Sequence, residues 1–201
     1  MTPEQTAEWG FWNNWYTKRG GLDLVMRHRD YDHQKQNFEH VHKSGVGFLN
    51  RDESLLEVGM ACCGLSPWLG RRYFVGADPQ AHLHADAGVN YLTLGYDNVR
   101  PGTLEECRFR DLEFDLVVSC NCIDHDLDPQ ALVNEMGRVA KSRVFCAYDV
   151  RFAATVMHPG ITDKIVNPPG FAVAYDALTP NPIEPTTEVS GIRYVLWERV
   201  K

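Results

Sequence analysis

From Leu55 to Val150 the chain alternates short apolar runs with polar stretches, and that rhythm restricts the fold more than any other feature. "SLLEVGM", "YFVGAD", "FDLVVSCN" and "RVFCAYDV" are each short, apolar and rich in β-branched or aromatic residues, as buried strands are. "PQALVNEMGRVAK" differs, with Ala131, Leu132, Met136 and Val139 at helical spacing, and a weaker helical stretch surrounds "LSPWLG". Alternation of this kind predicts a parallel sheet with helices on both faces. The end breaks the pattern. "GFAVAYDAL" and "GIRYVLWERV" are joined by "TPNPIEPTTEVS" with no helical segment between them, which predicts an antiparallel hairpin on the sheet edge.

The first 47 residues read as an extension before a core spanning 48–201, the whole forming one domain over 1–201. Trp9, Trp12, Trp15 and Tyr16 fall at helical spacing, ended by Gly20 and Gly21. Such a stripe packs a helix on the main domain; its sharper reading is a lid over a substrate pocket. "RHRDYDHQKQNFEHVHK" is polar and reads as an exposed segment.

With 201 residues and 44% hydrophobic composition, the chain suffices for one domain with a sizeable core. A formal net charge of -7 disfavours nucleic acid and anionic membrane as partners, since both are negative. No apolar run is long enough to span a bilayer, and "MTPEQTAEWG" does not read as a signal peptide. Six cysteines in apolar segments read as reduced thiols, and the expected location is cytoplasmic.

In a doubly wound sheet, ligands sit outside the carboxyl ends of the strands. Those ends hold Glu57, Gly59 and Gly64, then Asp78 and Pro79, then Asn121, Asp124 and His125, then Asp149 and Arg151. Asp78 follows Glu57 by 21 positions and closes a strand, where a carboxylate can accept both hydroxyls of a ribose. Glycine at 59 lets the backbone approach an adenosine closely, since no Cβ intervenes.

These motifs resemble those of the class I S-adenosylmethionine-dependent methyltransferases. "LLEVGMACCG" is similar to the family's first motif, acid-x-Gly-x-Gly-x-Gly, with Glu57, Gly59 and Gly64 matching, Ala61 in place of the middle glycine and Cys63 in place of the later one. "VGADP" resembles the second motif, whose acid, Asp78 here, holds the ribose. "GTLEECRF" resembles the segment that would put Thr103 and Leu104 at the adenine, without the usual acid at 103. "FDLVVSCNCIDHDLDPQALVNEMGRV" resembles the fourth-strand block of the members with Asp-His after that strand.

The resemblance covers about residues 50 to 200. It implies a Rossmann-like three-layer α/β/α sandwich with a mostly parallel seven-stranded sheet and a C-terminal antiparallel hairpin. It also implies S-adenosyl-L-methionine as cofactor, held by Glu57, Gly59, Ala61, Gly64, Asp78, Pro79, Thr103, Leu104 and Asn121. The implied reaction is methyl transfer to an acceptor that is a small molecule, a sugar or a protein side chain. His125 is the candidate base, because it follows the fourth strand and titrates near neutrality; its alternative is a histidine that fixes the turn. Tyr148, Asp149 and Arg151 are candidate acceptor contacts by position.

Alanine and cysteine are small enough for the first-motif loop to pass close to the cofactor, provided those positions do not need positive φ. No metal is expected, because the adjacent Cys62 and Cys63 lack the usual two-residue separation of a thiolate pair. The histidine pairs at 28 and 33, 40 and 42, and 82 and 84 read as surface residues. Two other functions compete. A nicotinamide-dependent oxidoreductase would want a G-x-G-x-x-G turn, which residues 59 to 64 do not supply. A cofactor-binding subunit without catalysis is the other, suggested by the altered glycine loop.

Overall fold

The computed structural model describes residues 1–18, 30–45, 52–61, 64–65, 73–150, 165–180 and 191–201. The strands among them are β1 (Leu55–Val58), β2 (Phe74–Asp78), β3 (Asn98–Pro101), β4 (Phe114–Cys120), β5 (Ala140–Val150), β6 (Phe171–Pro180) and β7 (Gly191–Arg199). The helices are α1 (Pro3–Lys18), α2 (Asp30–Lys43), α3 (Ala81–Asp86) and α4 (Pro129–Val139), with a 3-10 turn at Ile123–His125. The weak helical stretch expected around "LSPWLG", the "TPNPIEPTTEVS" connection, Cys62, Cys63, His28 and Arg151 fall wholly or largely outside the described residues.

The strands form one seven-stranded sheet in the order β3-β2-β1-β4-β5-β7-β6. The first five pair in parallel, and β7 is antiparallel to both β5 and β6. The chain steps outward from β1 to β3, then returns to lay β4 on the other flank of β1. That reversal opens a crevice at the carboxyl ends of β1, β2 and β4.

Both faces of the sheet are covered, which is why β1 is buried along its whole length. One face carries Leu56, Val58, Val75, Val117 and Val144 against Leu132, Val133 and Met136 of α4. The other carries Leu55, Phe74, Leu116, Val118 and Phe145 against Val41 of α2 and Ala81 of α3. α4 starts sharply because Asp128 accepts the Ala131 N–H at 3.0 Å and Pro129 occupies its first turn. Its other end is held by the last strand: Arg199 Nη2 donates to the Gly137 and Ala140 carbonyls at 2.8 and 2.7 Å.

Two local readings need correction. The segment around 30–43 is a helix with an inner face, where Asn37, His40 and Val41 are buried, and is not simply exposed. His40 stacks on Tyr194 at 3.8 Å between ring centres and meets the Tyr175 hydroxyl at 2.7 Å. His84, also read as a surface residue, is buried. "NVRP" forms a strand, although it has no apolar pattern, because it sits at the exposed sheet edge.

Candidate functional site

β1 ends on Val58, and its Glu57 is 1% exposed. The Glu57 carboxylate accepts the Leu65 N–H at 2.8 Å and the Tyr96 hydroxyl at 2.7 Å. These bonds fasten the far end of the loop that follows the strand. Gly64 explains itself here: a Cβ at that position would overlap the Tyr96 hydroxyl and the Glu57 carboxylate. Gly59 has φ +70°, and a Cβ there would run into the Cys122 side chain after β4. The two glycines that match the motif are thus required by the protein's own packing. Ala61 departs from expectation. Its φ is +46°, so the residue in the middle glycine's place does adopt the left-handed conformation. Asp78 Oδ2 accepts its N–H at 2.8 Å, and the Tyr91 hydroxyl donates to its carbonyl at 2.7 Å.

Asp78 closes β2 and is 5% exposed. Its Oδ1 accepts the Gln80 N–H at 2.7 Å, so two backbone amides aim the carboxylate. Burial pushes its pKa up, and the Ala61 and Gln80 amides oppose that shift. Pro79 is half-buried beside it. Gln80, 2% exposed, donates from Nε2 to Glu8 Oε2 at 2.8 Å and to the Gln5 carbonyl at 3.1 Å, fastening α1 to the end of β2.

α1 lies over this corner. Trp9, Trp12 and Tyr16 surround the His84 ring at 5.6 to 5.9 Å between ring centres, and the Tyr16 hydroxyl meets His84 Nδ1 at 2.6 Å. The same helix packs against Ala61, Val89, Tyr91 and Leu94. Burial drives the His84 pKa down to about 4. Glu8 moves the other way, to about 7, through burial first and then the charge of Asp78. The side chain of Trp15 lies outside the described ones.

After β3, Thr103 caps a turn with Glu106. The Thr103 N–H donates to Glu106 Oε2 at 2.8 Å, and the Glu106 N–H donates to Thr103 Oγ1 at 3.3 Å. Leu104 is 2% exposed and packed in the core with Val75, Ala77 and Phe109, so its backbone is the part left to meet an adenine. After β4, Asn121 takes φ +59° and donates its N–H to the Ala147 carbonyl at 2.7 Å. That sharp turn starts the segment holding Cys122, Asp124 and His125. Asp124 is buried, and His125 Nε2 lies 3.9 Å from Asp124 Oδ2. Tyr148, read as an acceptor contact, is buried in the core instead. Asp149 is buried at the end of β5.

The structure therefore brings Gly59, Ala61, Asp78, Pro79 and Asn121 to the carboxyl ends of β1, β2 and β4. Glu57 and Gly64 stand behind the loop as its support. The donor and acceptor set fits an adenosine-bearing cofactor: a fixed, buried carboxylate follows β2, and Gln80 Oε1 beside it is buried without a partner among the described residues. Sequence reading missed Glu8, Gln80 and His84. The tryptophan spacing of α1 was the available signal, since a helix buried on its Trp12 side brings Glu8, four residues earlier, to the same face.

A sequence model of the methyltransferase-domain family matches residues 56–148, from β1 into β5. Over these residues, a little under half of its length, the chain is similar to the methyltransferase-domain family. No curated protein sequence matches it. Solved structures agree on the fold. Magnesium protoporphyrin IX methyltransferase from Synechocystis PCC 6803, with bound S-adenosylmethionine, is 13% identical with a TM-score of 0.63 over 100% of this chain and 98% of that one. A methyltransferase from Methanosarcina mazei is 14% identical, TM-score 0.52, over 77% and 96%. The (4+2)-cyclase SpnF is 11% identical, TM-score 0.63, over 83% and 80%. No helix among the described residues is long and apolar enough to cross a membrane.

Proposed function

We propose that this methyltransferase acts on a small-molecule acceptor, with the cofactor held across the carboxyl ends of β1, β2 and β4. The observation that carries the cofactor placement is Asp78, fixed by the Ala61 and Gln80 amides at the end of β2. In this reading Asp78 and Pro79 take the ribose side, Gly59, Ala61 and Asn121 line the methionine side, and Thr103 with the Leu104 backbone takes the adenine. Glu57 and Gly64 shape the loop. The magnesium protoporphyrin IX enzyme, alike in fold, is named for a small-molecule acceptor. α1 roofs the crevice, which leaves less room for a macromolecule and helps exclude water.

When bound, S-adenosylmethionine supplies a methyl group already activated on a sulfonium. The chain's own task is then to align the acceptor for in-line attack and keep water out. His125 takes the proton where the acceptor must lose one, since it follows β4 on the turn started by Asn121. His125→Asn then lowers saturated turnover by about 100-fold or more while cofactor affinity holds. If His125 only fixes the turn, melting temperature and cofactor affinity fall together and saturated turnover holds.

The altered loop supports a second reading, a cofactor-binding subunit without catalysis, because Ala61 is strained where the family places glycine. Methyl transfer to components of a cell extract, assayed with labelled cofactor, decides between the two. Label in a small-molecule fraction supports the enzyme; cofactor binding with no labelled product supports the subunit.

A further inference from the structure

Three elements bring carboxylates toward the mouth of the crevice: Glu8 from α1, Asp78 from the end of β2 and Asp124 from the turn after β4. Glu8 is held in place, accepting from Gln80 Nε2 at 2.8 Å and from Trp12 on its own helix. Among the described residues, the charges acting on Glu8 are both negative, those of Asp78 and Asp124. Among the described residues, His82 acts on Asp78 in the opposite sense. The Cys122 thiol stands among the same carboxylates and stays protonated, because burial and their charge push its pKa well up. Beside Glu8, the Oε1 of Gln80, on the amide whose Nε2 meets the Glu8 carboxylate, is buried with no partner among the described residues. Like charges gathered around an unused acceptor suit a ligand that is cationic and carries hydrogen-bond donors.

We propose that Glu8 is the residue by which this protein distinguishes its cationic cofactor from the product left after methyl transfer. Glu8 is ionised opposite the sulfonium and protonated opposite the thioether. The proposal rests on the cofactor placement given above. S-Adenosylmethionine and S-adenosylhomocysteine share the adenosine, the amino group and the carboxylate, so the sulfonium charge and its methyl are the difference to be sensed. With its pKa pushed up to about 7, Glu8 is partly protonated in the ligand-free protein near neutrality. A cation nearby favours the carboxylate, and Glu8 then gives its proton to solvent. The neutral thioether offers no such gain, and the proton stays. Glu8 sits on the helix that roofs the site, so the same contact makes the seated helix favour the loaded cofactor and helps release the product.

Calorimetric titration of the full chain in two buffers of different ionisation enthalpy reads the proton directly. At pH 7, S-adenosylmethionine is expected to release about half a proton on binding, and S-adenosylhomocysteine close to none. The ratio of product Kd to cofactor Kd is expected to rise about tenfold from pH 6 to pH 8, the change that one pKa unit provides. Glu8→Gln keeps an oxygen to accept from Gln80 and should flatten that ratio and abolish the difference in proton release. Equal proton release with both ligands, or a pH-independent ratio in the unaltered protein, overturns the role of Glu8 while leaving the cofactor placement standing. Full affinity for both ligands in Asp78→Asn overturns the placement, and the role of Glu8 with it.

Discussion

Ala61 sits at φ +46°, where a Cβ presses on the following carbonyl at about 1–2 kcal/mol for most residues. Two bonds hold it there, from its N–H to Asp78 and to its carbonyl from Tyr91. Glycine removes the clash but loses more chain entropy, so Ala61→Gly is expected to gain up to about 1 kcal/mol and raise the melting temperature. A lower melting temperature in that variant would show that the loop is not strained at 61. Gly64 is the reverse case. A methyl group there meets the buried Glu57–Tyr96 pair, so Gly64→Ala should lose about 1–3 kcal/mol by denaturant titration. At Asp78 two effects add. Asp78→Ala removes a ribose acceptor worth about 1.5–3 kcal/mol per charge-assisted bond and also frees the Ala61 and Gln80 amides. S-Adenosylhomocysteine affinity and melting temperature should both fall; affinity that holds in a folded variant removes Asp78 from the ribose.

At the scale of elements, α1 is a small aromatic cap fastened at two titratable points with opposite pH responses. His84 has a folded pKa of about 4, below the ordinary 6.5, so its contribution is present above pH 6.5 and is lost as pH falls through 4. Glu8 has a folded pKa of about 7, above the ordinary 4.5, so its contribution is present below pH 4.5 and is lost as pH rises through 7. The two slopes oppose each other from pH 4.5 to 6.5, and above that only the Glu8 slope remains. Tryptophan fluorescence in a denaturant series should therefore show a plateau in stability over the acidic window and a decline toward pH 7.5. In Glu8→Gln the decline should disappear. A decline of full size in that variant would assign it to another group.

For the molecule as a whole, the sheet order makes β1 and β4 the centre and β3 and β6 the edges. β1 and β4 are flanked by parallel partners and covered on both faces, whereas β3 is four residues long, lies at an edge and is not buried at any of them. Hydrogen exchange should follow: amides of β1, β4 and β5 open only with global unfolding, and those of β3 exchange first. The crevice lies over the protected centre, so its carboxylate is carried on a strand of the sheet, while the roof above it is a helix fastened through side chains such as Gln80 and His84. Protection in β3 equal to that in β4 would mean the edge unfolds only with the core.

The parallel sheet and the antiparallel end were legible in the chain because each buried strand is a run of apolar residues that only a covered sheet satisfies. Helix α4 was legible for a similar reason, through its apolar face at helical spacing, while its cap at Asp128 was found only in the structure. The position of Asp78 at the end of a strand was legible because it closes a short apolar run. Tertiary contact alone decided the rest. Glu57 and Gly64 matched the motif, but only the approach of Tyr96 from 39 residues away shows that they brace the loop. His40 and His84 are polar letters in polar stretches, and nothing local says that Tyr175 and Tyr16 wait to meet them. Strand β3 has no pattern of its own and exists because β2 offers it an edge. Glu8 was hidden for the same reason: burial first and then Asp78 raise its pKa, and Gln80 anchors it, with both residues about 70 positions later, and long-range packing is what a local pattern does not carry.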